Sequence, residues 1–446
     1  MLHLTLELLR GTAVPDHYGK IAAAIVLILL VHSWARGPAL LEREERIEAH
    51  QRRASEKEDA QVTAGLSAMG GRTVLIGTGA MTPMGLVVMA MLAQQGAHIV
   101  ALVPDATDEN VVQLILLLRE STSNENIFAE TCDVRDDAAI TAFAERWHKG
   151  TRETGTDRVP SAVLPGLATP QTHRLDVLLF LPSAEAVPVM GATTDEAYKF
   201  TVLARFRLVN ALLPILLAQP PSRDVRIVSA VSPWYAAGLA QFDRVAQPPK
   251  GPIFEPWTRV GAAELHWIYL ATELQRRLNL LAEKDTRPRT DLHGIDTDNS
   301  PPPLAMRRSH VSSVVVCPGF EVSQLSAFFG GPAPLSTVHR AVLWTLWLGL
   351  APALWLLGKP TSRAADAIVW AARAHRAPEA RARRASLTQP PTDHDDVSLA
   401  RQWPGLQPGK LYREGRPVLP PAAATGGAAL WSAAETHSQA QPQAAT

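Results

Sequence analysis

The residues with the most chemical potential in this chain stand at the ends of apolar runs. The run RTVLIG (72–77) leads into Thr78-Gly79-Ala80-Met81-Thr82-Pro83-Met84-Gly85 and then into an apolar helical pattern. A glycine turn between strand and helix sets backbone N–H groups and the positive helix end against an anion such as a pyrophosphate. By itself a two-glycine turn is a weak signal. A second run, RIVSAVS, ends on Ser232, and Tyr235 follows three residues later, where it reaches a substrate or covers a pocket mouth. His266 and Tyr269 are spaced i, i+3, on one face of a helix. Patterns of the GxSxG, HExxH and P-loop kinds are absent from the sequence. Its two cysteines, Cys132 and Cys317, exclude a disulfide framework and a cysteine-rich zinc site, and no metal site is expected.

The elements that must position these residues alternate between apolar strands and helical patterns. RTVLIG is a buried strand, LVVMAMLAQQG (86–96) a helix stopped by Gly96, and AHIVALV (97–103) the second strand. LDVLLFL (175–181), VRIVSAV (225–231) and SSVVVC (312–317) follow. That alternation is the signature of an α/β fold with a doubly wound, Rossmann-type parallel sheet. The expected divisions are an N-terminal segment 1–36, a charged spacer 37–70 and a Rossmann domain 71–335. A disordered proline-rich insert falls at about 283–310, an apolar Trp-rich segment at 336–360 and a C-terminal helix with extension at 361–416. A disordered tail, 417–446, closes the chain, because its Ala/Pro/Gly/Gln composition lacks apolar periodicity.

The N-terminal apolar stretch IAAAIVLILLV (21–31) is flanked by Tyr18, Lys20, Trp34 and Arg36. Interfacial aromatics and snorkelling basic side chains suit a membrane anchor over about 18–36; a cleaved signal and a buried core helix are the rival readings. Residues 42–59 carry 12 charges of mixed sign and too few apolar residues to bury a face. The run AVLWTLWLGLAPALWLLG (341–358) is uncharged, and Pro352 would kink a helix there, so it reads as a membrane contact or a pocket lid. Across the whole chain 43 basic residues balance 43 acidic ones, which argues against an electrostatic nucleic-acid binder. Membrane lipids are the expected partners of these apolar segments.

Taken in order, these motifs resemble the short-chain dehydrogenase/reductase superfamily, most closely its retinol-dehydrogenase-like and fungal membrane-tethered branch. Thr78, Gly79 and Gly85 match three positions of the family's TGxxxGxG turn, and Asp133, in Cys132-Asp133-Val134-Arg135-Asp136, matches its adenine-contacting aspartate. Pro318 and Gly319, with Ser323, resemble the segment near the nicotinamide, and Ser232 falls at the catalytic serine. The resemblance implies NAD or NADP as cofactor, hydride exchange with a lipophilic carbonyl or alcohol, and an endoplasmic reticulum or lipid-droplet membrane. Asp105, after the second strand, leans toward NAD.

The family's proton-transferring tyrosine and its lysine stand one helical turn apart. Counting back from ELQRRL (273–278) puts Val260 and Glu264 in those places. Four residues beyond the five tyrosines stand Ala22, Val202, Leu239, Glu273 and Arg416, so no YxxxK exists in the chain. Thr201 replaces the family's helical asparagine, Phe180-Leu181-Pro182-Ser183 its NNAG, and Pro83 its second turn glycine. Ser232 remains the candidate catalytic residue, with His266 and Tyr269 as alternative acids. The expectation therefore divides between an oxidoreductase with altered chemistry and a membrane-bound scaffold or nucleotide sensor that has lost catalysis.

Overall fold

The computed structural model describes residues 16–46, 69–149, 174–182, 198–220, 223–244, 255–285, 308–321, 358–374, 406–422 and 426–440, with scattered positions between 345 and 356. Most of the spacer, residues 286–307 of the proline-rich insert, Ser183 and Ser323 lie outside them.

Strands β1 (Thr73–Thr78), β2 (His98–Val103), β3 (Ile127–Thr131), β4 (Val177–Phe180), β5 (Val225–Ala230) and β6 (Val311–Cys317) are buried along nearly their whole lengths. Their continuous apolar runs are what a sheet covered on both faces requires. With β7 (Leu411–Arg413) and β8 (Arg416–Val418) the sheet order is β3-β2-β1-β4-β5-β6-β7-β8. Every pairing is parallel except the last, a hairpin. That hairpin turns through Glu414 (φ 53°) and Gly415 (φ 73°), the two left-handed residues its tight loop requires. The strand order reverses between β1 and β4. In such sheets ligands bind beyond the carboxyl ends of the strands at this switch point.

Because strand side chains alternate, one sheet feeds two cores. Val74 and Ile76 join α2 (Pro83–Gln94), α3 (Glu109–Thr122) and α7 (Thr361–Arg373) on one face. Leu75 joins α4 (Asp137–Lys149), α5 (Arg205–Ala218), α6 (Glu255–Lys284) and α8 (Gly427–Ala440) on the other.

One expectation requires correction. The tail is not wholly disordered, since α8 docks on α6 with Trp431 buried against Phe206 at 4.9 Å and the Arg277 guanidinium 4.4 Å above its ring. Sparse apolar periodicity proved misleading because one large aromatic supplies much of the contact. Residues 40–46 are helical, and just ahead of the charged run Leu40 and Leu41 are buried in the α2–α7 core. Their backbone N–H groups donate to the Asp366 carboxylate at 2.7 Å and 3.4 Å.

The N-terminal apolar stretch lies in helix α1 (Asp16–Arg36), where Ile25 to Leu30 are 46–62% exposed. Among the described residues, the helix long and apolar enough to cross a membrane is Lys199–Ala218, and it is 67% buried within the domain. Its apolarity is that of a core element.

Candidate functional site

Ser232 follows β5 at the carboxyl edge of the sheet, in extended backbone (φ −74°, ψ 157°), just before a 3₁₀ turn at Pro233–Ala236. Glu264 reaches it from α6. The Ser232 N–H donates to Glu264 Oε1 at 2.8 Å, and the Ser232 hydroxyl donates to Glu264 Oε2 through a very short contact. Both residues are buried, as is Val260 one turn earlier on α6. The position expected to hold a lysine thus carries a carboxyl that grips Ser232 by backbone and side chain together.

Glycines allow this approach. A Cβ on Gly261 would lie 2.1 Å from Trp234 O, and one on Gly238 would lie 2.3 Å from the Gly261 carbonyl carbon. The 3₁₀ segments Pro233–Ala236 and Gly238–Arg244 therefore sit directly on α6, which brings Glu264 within reach of Ser232.

A residue that sequence reasoning did not single out completes the group. Arg205 is 3% exposed and donates from Nη2 to Ala230 O at 3.3 Å. Its guanidinium lies 5.9 Å from the Phe180 ring and 5.8 Å from the Trp267 ring. Its Nε and Nη1 have no hydrogen-bond acceptor among the described residues, and the buried Thr201 hydroxyl one turn earlier has none either. Burial lowers the Arg205 pKa to about 10, with Glu264 opposing that shift. Burial likewise raises the Glu264 carboxyl to about 7, against the Ser232 hydrogen bonds and the Arg205 charge. Thr201 belongs to a π-helical turn, Lys199–Ala204, a distortion that often accompanies functional sites. The available signal was two arginines in KFTVLARFRL, an otherwise apolar stretch bound for the core.

The other candidate acids are engaged in packing. His266 Nε2 donates to Phe242 O at 2.8 Å, its ring meets Phe242 and Tyr198, and burial lowers its pKa. The Tyr269 hydroxyl donates to Pro421 O at 2.8 Å, joining α6 to the C-terminal extension. Tyr235 is buried, which raises its pKa.

At the switch point Thr78 Oγ1 donates to Leu181 O at 2.9 Å, and the Leu181 N–H returns to Thr78 O at 3.1 Å. Gly79 is left-handed (φ +72°), and a Cβ there would lie 2.5 Å from Pro182 O. Gly85 packs on the turn so closely that a Cβ would lie 2.2 Å from Gly79 O. Asp133 lies at the carboxyl end of β3, accepting from the Arg135 N–H at 3.0 Å. Asp105 lies beyond β2 and accepts from the Thr107 N–H and hydroxyl, which lower its pKa. Pro318 and Gly319 follow β6. Gly319 is left-handed (φ +98°), and the Lys359 stem occupies the space beside it. Lys359 Nζ is paired with Glu414 at 2.8 Å.

These residues fit a dinucleotide unequally. Two carboxylates, Asp105 and Asp133, stand at adjacent strand ends where sugar hydroxyls and an adenine amine need acceptors. The pyrophosphate end has fewer donors. Pro83 has no N–H, and the Gly85 N–H is taken by Thr82 Oγ1 at 3.1 Å while that hydroxyl donates to Gly79 O. The helix end keeps its dipole and the Met84 amide.

No family model matches the chain. An uncharacterized oxidoreductase of Schizosaccharomyces pombe is 29% identical over 233 residues, covering 51% of this chain and 56% of its own. An uncharacterized oxidoreductase of Saccharomyces cerevisiae is 32% identical over 161 residues, 36% of this chain and 37% of its own. The chain thus spans about half or less of these relatives' lengths. Solved structures include a short-chain dehydrogenase of Salmonella enterica serovar Typhi, at 17% identity and TM-score 0.38, covering 67% of this chain and 94% of its own. A dehydrogenase/reductase of Sinorhizobium meliloti has 15% identity and TM-score 0.39, covering 69% and 90%. In motif order the chain resembles the short-chain dehydrogenase/reductase superfamily, its sheet has the switch point of a Rossmann-type fold, and both curated relatives are oxidoreductases.

Proposed function

We propose that this chain is a membrane-associated oxidoreductase exchanging hydride between a nicotinamide dinucleotide and a lipophilic carbonyl or alcohol. The observation that carries this reading is Ser232, whose hydroxyl pairs with the ionisable Glu264 on the same sheet edge as the glycine turn of β1. When bound, the nicotinamide would supply hydride chemistry. The protein's part is to bind and orient. Asp105 and Asp133 would hold the adenosine end, the Gly79–Gly85 turn the pyrophosphate, and Pro318-Gly319 the segment nearest the nicotinamide. A carboxylate at Asp105 would repel a 2′-phosphate, which favours NAD over NADP.

Support for membrane association comes from exposed apolar surface. Ile25 to Leu30 on α1, Leu348 (68%) and Trp355 (56%) are open, and His32 stacks on Trp355 at 4.1 Å, joining the two apolar segments. Gly37, just beyond α1, lies against Lys359, which in turn lies against Gly319. Helix α1 thus leaves the domain at the carboxyl edge of the sheet, and a substrate dissolved in lipid would have a short route to Ser232. An endoplasmic reticulum or lipid-droplet surface is the membrane the resemblance favours.

A second reading, a non-catalytic scaffold or nucleotide sensor, draws on Val260 at the proton-transfer position and on the self-capped turn at Thr82-Pro83. Titration of the full-length protein with NADH and NADPH separates the readings. Saturable NADH binding, tighter than NADPH, with turnover of a hydrophobic aldehyde or ketone is expected. Binding without turnover would favour the sensor, and no binding at millimolar nucleotide would refute the oxidoreductase. For the membrane, retention in the pellet after alkaline carbonate extraction is expected, and release of the full chain would refute it.

A further inference from the structure

We propose that Glu264 acts as positioning residue and proton reservoir for Ser232, so that the serine hydroxyl delivers a proton to a substrate oxygen and recovers it from the Glu264 carboxyl. This rests on the oxidoreductase reading above. The argument starts from the count of hydrogens. Ser232 has one hydroxyl proton, and an ionised Glu264 consumes it, because a carboxylate only accepts. A neutral Glu264 reverses that bond: Oε2–H donates to Ser232 Oγ, and the serine proton is free to point at a substrate. The second contact, Ser232 N–H to Glu264 Oε1 at 2.8 Å, serves either state and keeps the two oxygens together.

The surroundings suit a carboxyl that changes charge. Glu264 is 4% exposed, and the groups facing it are Ser232 beyond β5, Arg205 from α5 and Cys317 from β6. Arg205 steadies the carboxylate when it forms, while burial favours the neutral acid. Burial also raises the Cys317 thiol to about 11, so it adds no charge near neutrality. One turn earlier, Val260 offers no competing donor.

The step balances with a reduced nicotinamide dinucleotide as reductant. As hydride reaches the carbonyl carbon, the carbonyl π bond opens and its oxygen takes the Ser232 proton. Ser232 Oγ then takes the Glu264 proton, which leaves a carboxylate to be reprotonated from solvent after product release. Alcohol oxidation runs the same transfers backwards.

Infrared spectroscopy of the full-length protein without nucleotide, from about pH 5 to about pH 9, tests the reservoir directly. A protonated-carboxyl band that disappears near neutrality, and is missing from Glu264→Gln, is expected. Glutamine keeps an acceptor for the Ser232 N–H, so a purely structural cap would survive the change. Glu264→Gln should still bind NADH yet turn over about 100-fold more slowly. The wild-type reductive rate should fall as pH rises through the carboxyl's titration. An ionised carboxyl throughout that range, or a Glu264→Gln enzyme with undiminished rate and an unchanged pH profile, would overturn the proposal. Wild-type protein that binds no NADH would remove the oxidoreductase reading, and this proposal with it, whatever the band does.

Discussion

The carboxyl edge of this sheet has two halves that resemble the short-chain dehydrogenase/reductase pattern to different degrees. Around β1 to β3 the residues, Pro83 apart, are of the types that the resemblance leads one to expect: a left-handed Gly79, a close-packed Gly85, and carboxylates at Asp105 and Asp133. Around β5 and α6 the fold keeps the positions and changes the chemistry, with Val260 and Glu264 where a tyrosine and lysine would stand. The strands and helices are equally well packed in both. What differs is the electrostatic solution. In the second half the buried cation is Arg205 on α5, and the α6 carboxyl lies against the serine. The difference teaches that a Rossmann frame can hold a carboxyl where the resemblance would place a lysine, with a neighbouring helix supplying the cation.

The sharpest way to break this comparison is to restore the family's residues. Glu264→Lys, alone or with Val260→Tyr, would bury a second cation near Arg205 and leave the Ser232 N–H without its acceptor. A loss of about 3–5 kcal/mol in denaturant unfolding is expected, typical of an uncompensated buried charge. A stable, active double variant would show that Arg205 and Glu264 are not a matched replacement. Next in size is Gly261→Ala, whose Cβ would meet Trp234 O at 2.1 Å. Separation of α6 from the 3₁₀ segments should cost about 1–3 kcal/mol, read from unfolding curves. An unchanged midpoint would mean that the approach is loose. The smallest effect is expected in the β1–β3 half. Pro83→Ala restores an N–H at the helix end and should tighten NADH binding by about fivefold, the worth of roughly one hydrogen bond. Equal or weaker affinity would indicate that the pyrophosphate does not sit there.

Much of the frame was readable without coordinates because it depends on short-range pattern. Five of the first six strands are mainly apolar runs bounded by polar or turn residues, as a parallel sheet demands, whereas β3 carries Glu130 and Thr131 and offered no such run. The glycine turn, Ser232 and the missing tyrosine–lysine pair follow from spacing along one chain. The self-capped turn was half visible: Pro83 announces a lost donor, but the Thr82 hydroxyl taking the Gly85 N–H depends on a rotamer. Arg205 was not legible as part of the site. It stands 59 positions before Glu264 in the sequence, and nothing in KFTVLARFRL specifies its neighbour.

The two ends of the chain make the same point about distance. Asp366 receives the Leu40 and Leu41 amides from more than three hundred residues away, and Trp431 reaches Phe206 and Arg277 on elements far upstream. Composition described one region as a charged spacer and the other as tail, because a docking contact made by one or two residues leaves no periodicity to detect.

What the sequence by itself determined is the order of strands and helices, the place of the glycine turn, and the absence of a tyrosine–lysine pair at helical spacing. These are local or sequential properties, set by hydrophobic period and residue type. Only the tertiary structure decided that Glu264 grips Ser232, that Arg205 answers its charge, and that α1 leaves the domain beside the sheet's carboxyl edge. Those outcomes depend on distances through space between groups remote in the chain. The energy of a buried charge is set by what surrounds it, not by its neighbours in sequence.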